Sequence, residues 1–143
     1  MEMIDISGKN TVQRMAIARG AIRLNGKTIE AIRTGSIKKG DVLCAAEIAG
    51  INAVKTTPYA VPLCHPIPIT YAGFDFVVSD NKIACTCTVK AEYTTGVEME
   101  ALHGVSVALL TIWDMVKYME KDEHGQYPDT LIEDIGIVSK RKD

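Results

Sequence analysis

The chain has 143 residues, 47% of them hydrophobic, and a formal net charge of −2. That length suits one domain with a real core, and no run of eighteen apolar residues marks a membrane span. A slightly acidic chain with no basic stripe interleaved with aromatics does not read as a nucleic-acid binder.

The charge is unevenly spread. Residues 1–55 carry a balance of +4 and residues 56–143 one of −6. The basic half suits an anionic ligand, and it equally suits an acidic face met on folding or between subunits. The opening MEMIDISGKN has acids and no apolar h-region, so it does not read as a signal peptide. Cys44, Cys64, Cys85 and Cys87 are too few and scattered for a disulfide framework, which points to free thiols in a reducing cytoplasm.

Residues 1–13 are expected to be irregular, with Asp5, Ser7, Gly8 and Asn10 as turn formers. Arg14 to Leu24 alternates as a strand, with Ala16, Ala18, Ile22 and Leu24 on one side and Arg19 and Arg23 on the other. Asn25-Gly26 breaks it. Thr28 to Thr34 forms a short helix capped by Thr28 or started at Lys27, and Gly35 ends it. Asp41 caps a second helix over Val42 to Val54, closed by Lys55, where a cation suits the helix dipole. Lys38-Lys39-Gly40 just before that helix is either an anion site at its positive end or a solvated basic turn.

Residues 56–68 hold four of the five prolines. No helix is expected there, and at best an edge strand. A stiff connection through Leu63-Cys64-His65 has the character of a binding loop. Adjacent Cys64-His65 does not match the usual zinc spacings, so no metal is expected. Ile67 to Val78 and Lys82 to Tyr93 read as a hairpin around Ser79-Asp80-Asn81. Ile83, Cys85, Cys87, Val89, Ala91 and Tyr93 share one face, with the two cysteines as small buried hydrophobes.

Gly96 to Asp122 is one long helix. Leu102, Val105, Leu109, Ile112, Val116 and Met119 make its apolar stripe. A neighbouring stripe holds Glu100, His103, Val107, Leu110, Asp114 and Lys117, four of which ionise. A loop through His124, Gly125 and Pro128 leads to a last strand, Leu131 to Ser139, and a polar tail. Without the small extra helix the order is β-α-β-β-α-β. That is the ferredoxin-like α+β arrangement: an antiparallel sheet with both main helices on one face, in a single domain over 1–143.

No GxGxxG, Walker or GxSxG motif is present, and lysine with carboxylate is the chemistry left. Asp114 and Lys117 are neighbours on the helix, either a modest surface ion pair or an acid/base couple. A lysine among lysines, or partly desolvated, is expected to have a lowered pKa and to transfer protons near neutrality. Glu100 and Asp114 are fourteen residues and so ~21 Å apart along the helix. One compact site in one subunit cannot easily use both, which points to a neighbouring subunit.

IDISGK, KKGDVLCAAEIAGINAVKTT, VPLCHPI, TTGVEMEALHGVSVALLTIWDMVK and the late IVSK together resemble the MoaC family, the cyclic pyranopterin monophosphate synthases of molybdenum cofactor biosynthesis. The resemblance covers nearly the whole chain. It implies a lyase that converts 3′,8-cyclo-7,8-dihydro-GTP, supplied by a radical S-adenosylmethionine enzyme, to cyclic pyranopterin monophosphate and pyrophosphate. It also implies a cytoplasmic hexamer built from dimers, with sites at the dimer interface and no cofactor. By motif, Asp114 and Lys117 match the family's DMxK pair and Lys39 a second catalytic lysine. Leu63, Cys64, His65, Met99 and Glu100 match substrate-binding segments, with Glu98 beside them. Lys9, Arg14 and Lys55 match basic residues suited to a triphosphate. Where many members carry a glycine-rich KSGGKSG-type tail this chain reads IVSKRKD, and Lys140 takes the place of the first tail lysine. The alternative from another class is a non-catalytic ferredoxin-like module that binds a small molecule, which fold alone does not exclude.

Overall fold

The computed structural model describes all of Met1–Asp143. Eight elements follow one another: β1 (Val12–Arg23), α1 (Gly26–Arg33), α2 (Val42–Lys55), α3 (Thr57–Ala60), β2 (Ile69–Val78), β3 (Lys82–Tyr93), α4 (Glu98–Glu120) and β4 (Leu131–Lys142). The strands form one antiparallel sheet in the order β2-β3-β1-β4, and α2 and α4 pack together on one of its faces. This is the expected ferredoxin-like arrangement.

Alternation decides which face is covered. On β3, Ile83, Cys85, Cys87, Val89 and Ala91 are fully buried, and on β1 so are Ala16, Ala18 and Ile22. The register sets Ala16 opposite Val89 and Ala18 opposite Cys87, so the sheet under α4 is lined mostly by small side chains. Burial pushes both the Cys85 and Cys87 thiols up to about 12, so they stay protonated and pack as hydrophobes. α4 answers with Val105, Leu109, Ile112 and Val116, all fully buried. Its approach depends on Gly104, where a Cβ would lie 2.8 Å from Val54 Cγ2 on α2. At mean hydropathy 1.3, α4 is long and apolar enough to cross a membrane, but here it is the core helix, packed against both the sheet and α2.

Three expectations need correction. Thr28 does not cap α1. Asn25 is the N-cap, and Thr28 lies buried inside the helix, where its hydroxyl donates to the Glu120 carboxylate. The proline-rich 56–68 segment does contain a helical turn, α3, because Pro58 falls in its first turn, where a missing N–H costs nothing. The last strand runs on to Lys142 rather than ending at Ser139, since pairing with β1 continues through Lys140–Ala16 and Lys142–Arg14. As expected, Asp41 Oδ1 accepts from the Cys44 N–H at 3.1 Å, capping α2.

Candidate active site

α4 carries two clusters, one at each end. The first lies beyond its middle. Asp114 points out of the helix and is met from two sides. Lys117, one turn on, places Nζ 3.0 Å from Oδ1. Lys39, from the turn before α2, places Nζ 2.9 Å from Oδ2 and donates to the Asp114 carbonyl at 3.0 Å. The fold thus joins the KKGD and DMVK segments, which sequence spacing could not do. Asp114 is 56% exposed, and Lys39 and Lys117 are 43% and 44% exposed. Ion pairs this open contribute little to stability, but they leave all three groups free to meet a substrate.

The electrostatics correct one expectation. The Lys117 pKa is raised, because its ammonium donates to Asp114 and sits in that carboxylate's field. Asp114 is lowered, by the hydrogen bond from Lys39 first and that from Lys117 second. Proximity of lysines does not discharge Lys117, because a carboxylate stands between the two. Lys117 is therefore a proton donor in the free chain.

The second cluster is a cleft of about 280 Å³ at the start of α4. Leu63, Cys64 and His65 form one wall, Glu98, Met99 and Glu100 another, and Lys9 reaches in from the N-terminal segment. Glu98 and Glu100 differ sharply. Burial pushes Glu98 up, but the Lys140 ammonium bonded to it, its own backbone N–H and the charges of Lys140 and Arg14 outweigh burial and hold it low. Glu100 is only 3% exposed. Burial pushes it up against the pull of its own backbone N–H, and the charge of Glu98 pushes it the same way. Two carboxylates two residues apart are set to opposite protonation preferences.

Arg14 donates to the carbonyls of Tyr93 and Thr94 at 3.4 and 3.3 Å, fixing the chain as it enters α4. Lys140 is carried into the cluster by the extended β4. Lys55 is exposed at the end of α2 and makes no ion pair. His103 Nδ1 lies 2.9 Å from the Ala53 carbonyl, which sets that end of α2 beside the first turns of α4. Within the chain the two clusters stay apart, with Glu100 and Asp114 ~21 Å from each other along α4. Nowhere do three His, Cys, Asp or Glu side chains converge to hold a metal ion.

Tyr118 joins the Asp114 cluster as well. Its hydroxyl accepts the Lys38 N–H at 2.9 Å, next to the lysine pair. Its place four residues after Asp114, one helical turn along, was the available signal in the sequence.

The model of the MoaC family matches residues 3–143. The chain belongs to the MoaC family. It is 59% identical over 142 residues to a protein of Thermococcus kodakarensis named "Probable cyclic pyranopterin monophosphate synthase", covering 99% of this chain and 91% of that one. Proteins of the same name from Archaeoglobus fulgidus and Sulfolobus acidocaldarius are 58% and 54% identical, over 99% and 98% of this chain and 91% and 98% of theirs. In this MoaC-family chain both clusters are built from the segments that carried the resemblance.

Proposed function

We propose that the chain is a cyclic pyranopterin monophosphate synthase of molybdenum cofactor biosynthesis, a lyase that takes 3′,8-cyclo-7,8-dihydro-GTP to cyclic pyranopterin monophosphate and pyrophosphate. Full-length family membership supports the activity. The observation that carries the site assignment is the single carboxylate of Asp114 held by both Lys39 and Lys117. Lys117, charged and open to solvent, acts as general acid while the purine-derived ring opens and the pyranopterin forms. Lys39 is the second proton-transfer group, and Asp114 orients both. Leu63, Cys64, His65, Met99 and Glu100 bind the ring system, with Glu98 beside them. Lys9, Arg14, Lys55 and Lys140 supply the positive charge for the triphosphate as a substrate hydroxyl attacks the α-phosphate and pyrophosphate leaves.

The separation of the clusters supports a site shared between chains, in a dimer that builds a hexamer. We place the enzyme in the cytoplasm, downstream of a radical S-adenosylmethionine enzyme that cyclises GTP. The test supplies 3′,8-cyclo-7,8-dihydro-GTP and follows pyrophosphate and the cyclic pterin. Lys39→Ala or Lys117→Ala lowers turnover by about 10²-fold or more with the fold intact. Near-normal turnover in either variant overturns the role given to that lysine.

A further inference from the structure

We propose that Tyr118 is a positioning residue: its hydroxyl holds the Ser36–Asp41 loop in the register that sets Lys39 on Asp114. This rests on the reading of Lys39 as a proton-transfer group.

The loop is weakly determined by packing. Gly35 just before it and Gly40 within it sit at φ +68° and +112°, and a Cβ at either would meet nothing within 4 Å. Ile37 is its only buried side chain, 6% exposed. Its other backbone N–H bonds run back to α1 or within the loop: Ser36 to Ala31 at 2.9 Å and Gly40 to Ile37 at 3.1 Å. Lys38 alone donates its backbone N–H to α4, to Tyr118 Oη at 2.9 Å. The Lys38 ammonium lies 5.5 Å from the centre of the same ring, within cation–π reach.

α4 therefore meets two consecutive loop residues with two acceptors one turn apart. Tyr118 takes the Lys38 backbone, and Asp114 takes the Lys39 side chain. The division of labour is physical. A lysine side chain has four flexible bonds, and a half-exposed ion pair does not fix it. A backbone hydrogen bond on the preceding residue fixes where that side chain starts. The Tyr118 hydroxyl bonds to the Lys38 backbone and not to Asp114, so it acts through Lys39.

The test compares the full-length protein with Tyr118→Phe, which keeps the ring and loses only the hydroxyl, and with Lys39→Ala. Carbon-13 NMR follows the Asp114 carboxyl through its titration, because Lys39 is the largest influence holding it low. The Asp114 midpoint moves up in Tyr118→Phe, toward its value in Lys39→Ala. Turnover falls about three- to tenfold, the loss expected from one hydrogen bond, with KM within twofold. An unmoved Asp114 midpoint in Tyr118→Phe overturns the proposal. A midpoint that moves while kcat stays at the wild-type value upholds the positioning and instead overturns the catalytic role of Lys39.

Discussion

Lys39 and Lys117 share one carboxylate, each taking a different oxygen of Asp114, at 2.9 and 3.0 Å. The arrangement keeps two cations close together on one carboxylate. A negative charge between them offsets their repulsion, and the Lys117 pKa rises instead of falling.

Asp114→Asn keeps the shape and removes that charge. Lys117 then faces Lys39 without a counter-ion, and its pKa drops. An acid must be protonated to act, so the alkaline limb of kcat moves to lower pH. Turnover also falls by about 10²-fold or more. A pH–rate profile of wild type and variant checks both; an alkaline limb that stays in place contradicts the general-acid role.

Glu98 makes stability depend on pH in one direction. Its folded pKa lies below the ordinary value of 4.5, held there against burial by Lys140. Such a group stabilises the fold above 4.5, and the contribution disappears as pH falls through the lowered folded value. Lys140→Met therefore lowers Tm at pH 7 and leaves it unchanged at a pH where Glu98 is protonated. Thermal melts at pH 7 and at successively lower pH make the comparison.

Glu100 works in the opposite direction. Burial raises its folded pKa above 4.5, so its contribution is full below that value and is lost as pH rises through the folded one. Glu100→Gln, nearly isosteric and always neutral, escapes that loss. Its stability relative to wild type improves between pH 4.5 and pH 8, read from urea midpoints at each pH. A constant difference contradicts the assigned protonation.

Glu120 tests the frame behind the site. Only 2% exposed, it accepts from the Asn25 N–H at 3.1 Å, the Thr130 hydroxyl at 2.8 Å and the Thr28 hydroxyl. It thus ties the end of α4 to the start of α1 and the approach to β4. Glu120→Ala leaves three donors without a partner and costs about 2–4 kcal/mol by denaturant titration.

Much of this was legible in the sequence. Strict alternation marked β3, heptad-like spacing marked α4, and Asp41 marked the start of α2. Local chemistry misled where tertiary contacts overrode it. Thr28 looked like a cap because Thr commonly caps, yet a buried carboxylate from the far end of α4 claims its hydroxyl. Pro58 looked like a breaker, yet a first turn tolerates it. The Lys117 pKa is not legible from spacing, because a lysine's charge depends on which carboxylate the fold brings between it and its neighbours. Spacing puts Tyr118 one turn from Asp114, but does not give its contact, since its partner is a backbone N–H far away in the chain.

The central claim is that the two ends of α4 are halves of sites completed by another chain, and subunit complementation tests it most directly. Glu100→Ala and Lys117→Ala variants, each inactive alone, are mixed, unfolded and refolded together, and assayed with 3′,8-cyclo-7,8-dihydro-GTP. If each site takes one cluster from each chain, random pairing restores about one quarter of wild-type turnover, because half the dimers are mixed and each holds one intact site. A mixture no more active than either variant alone contradicts the account.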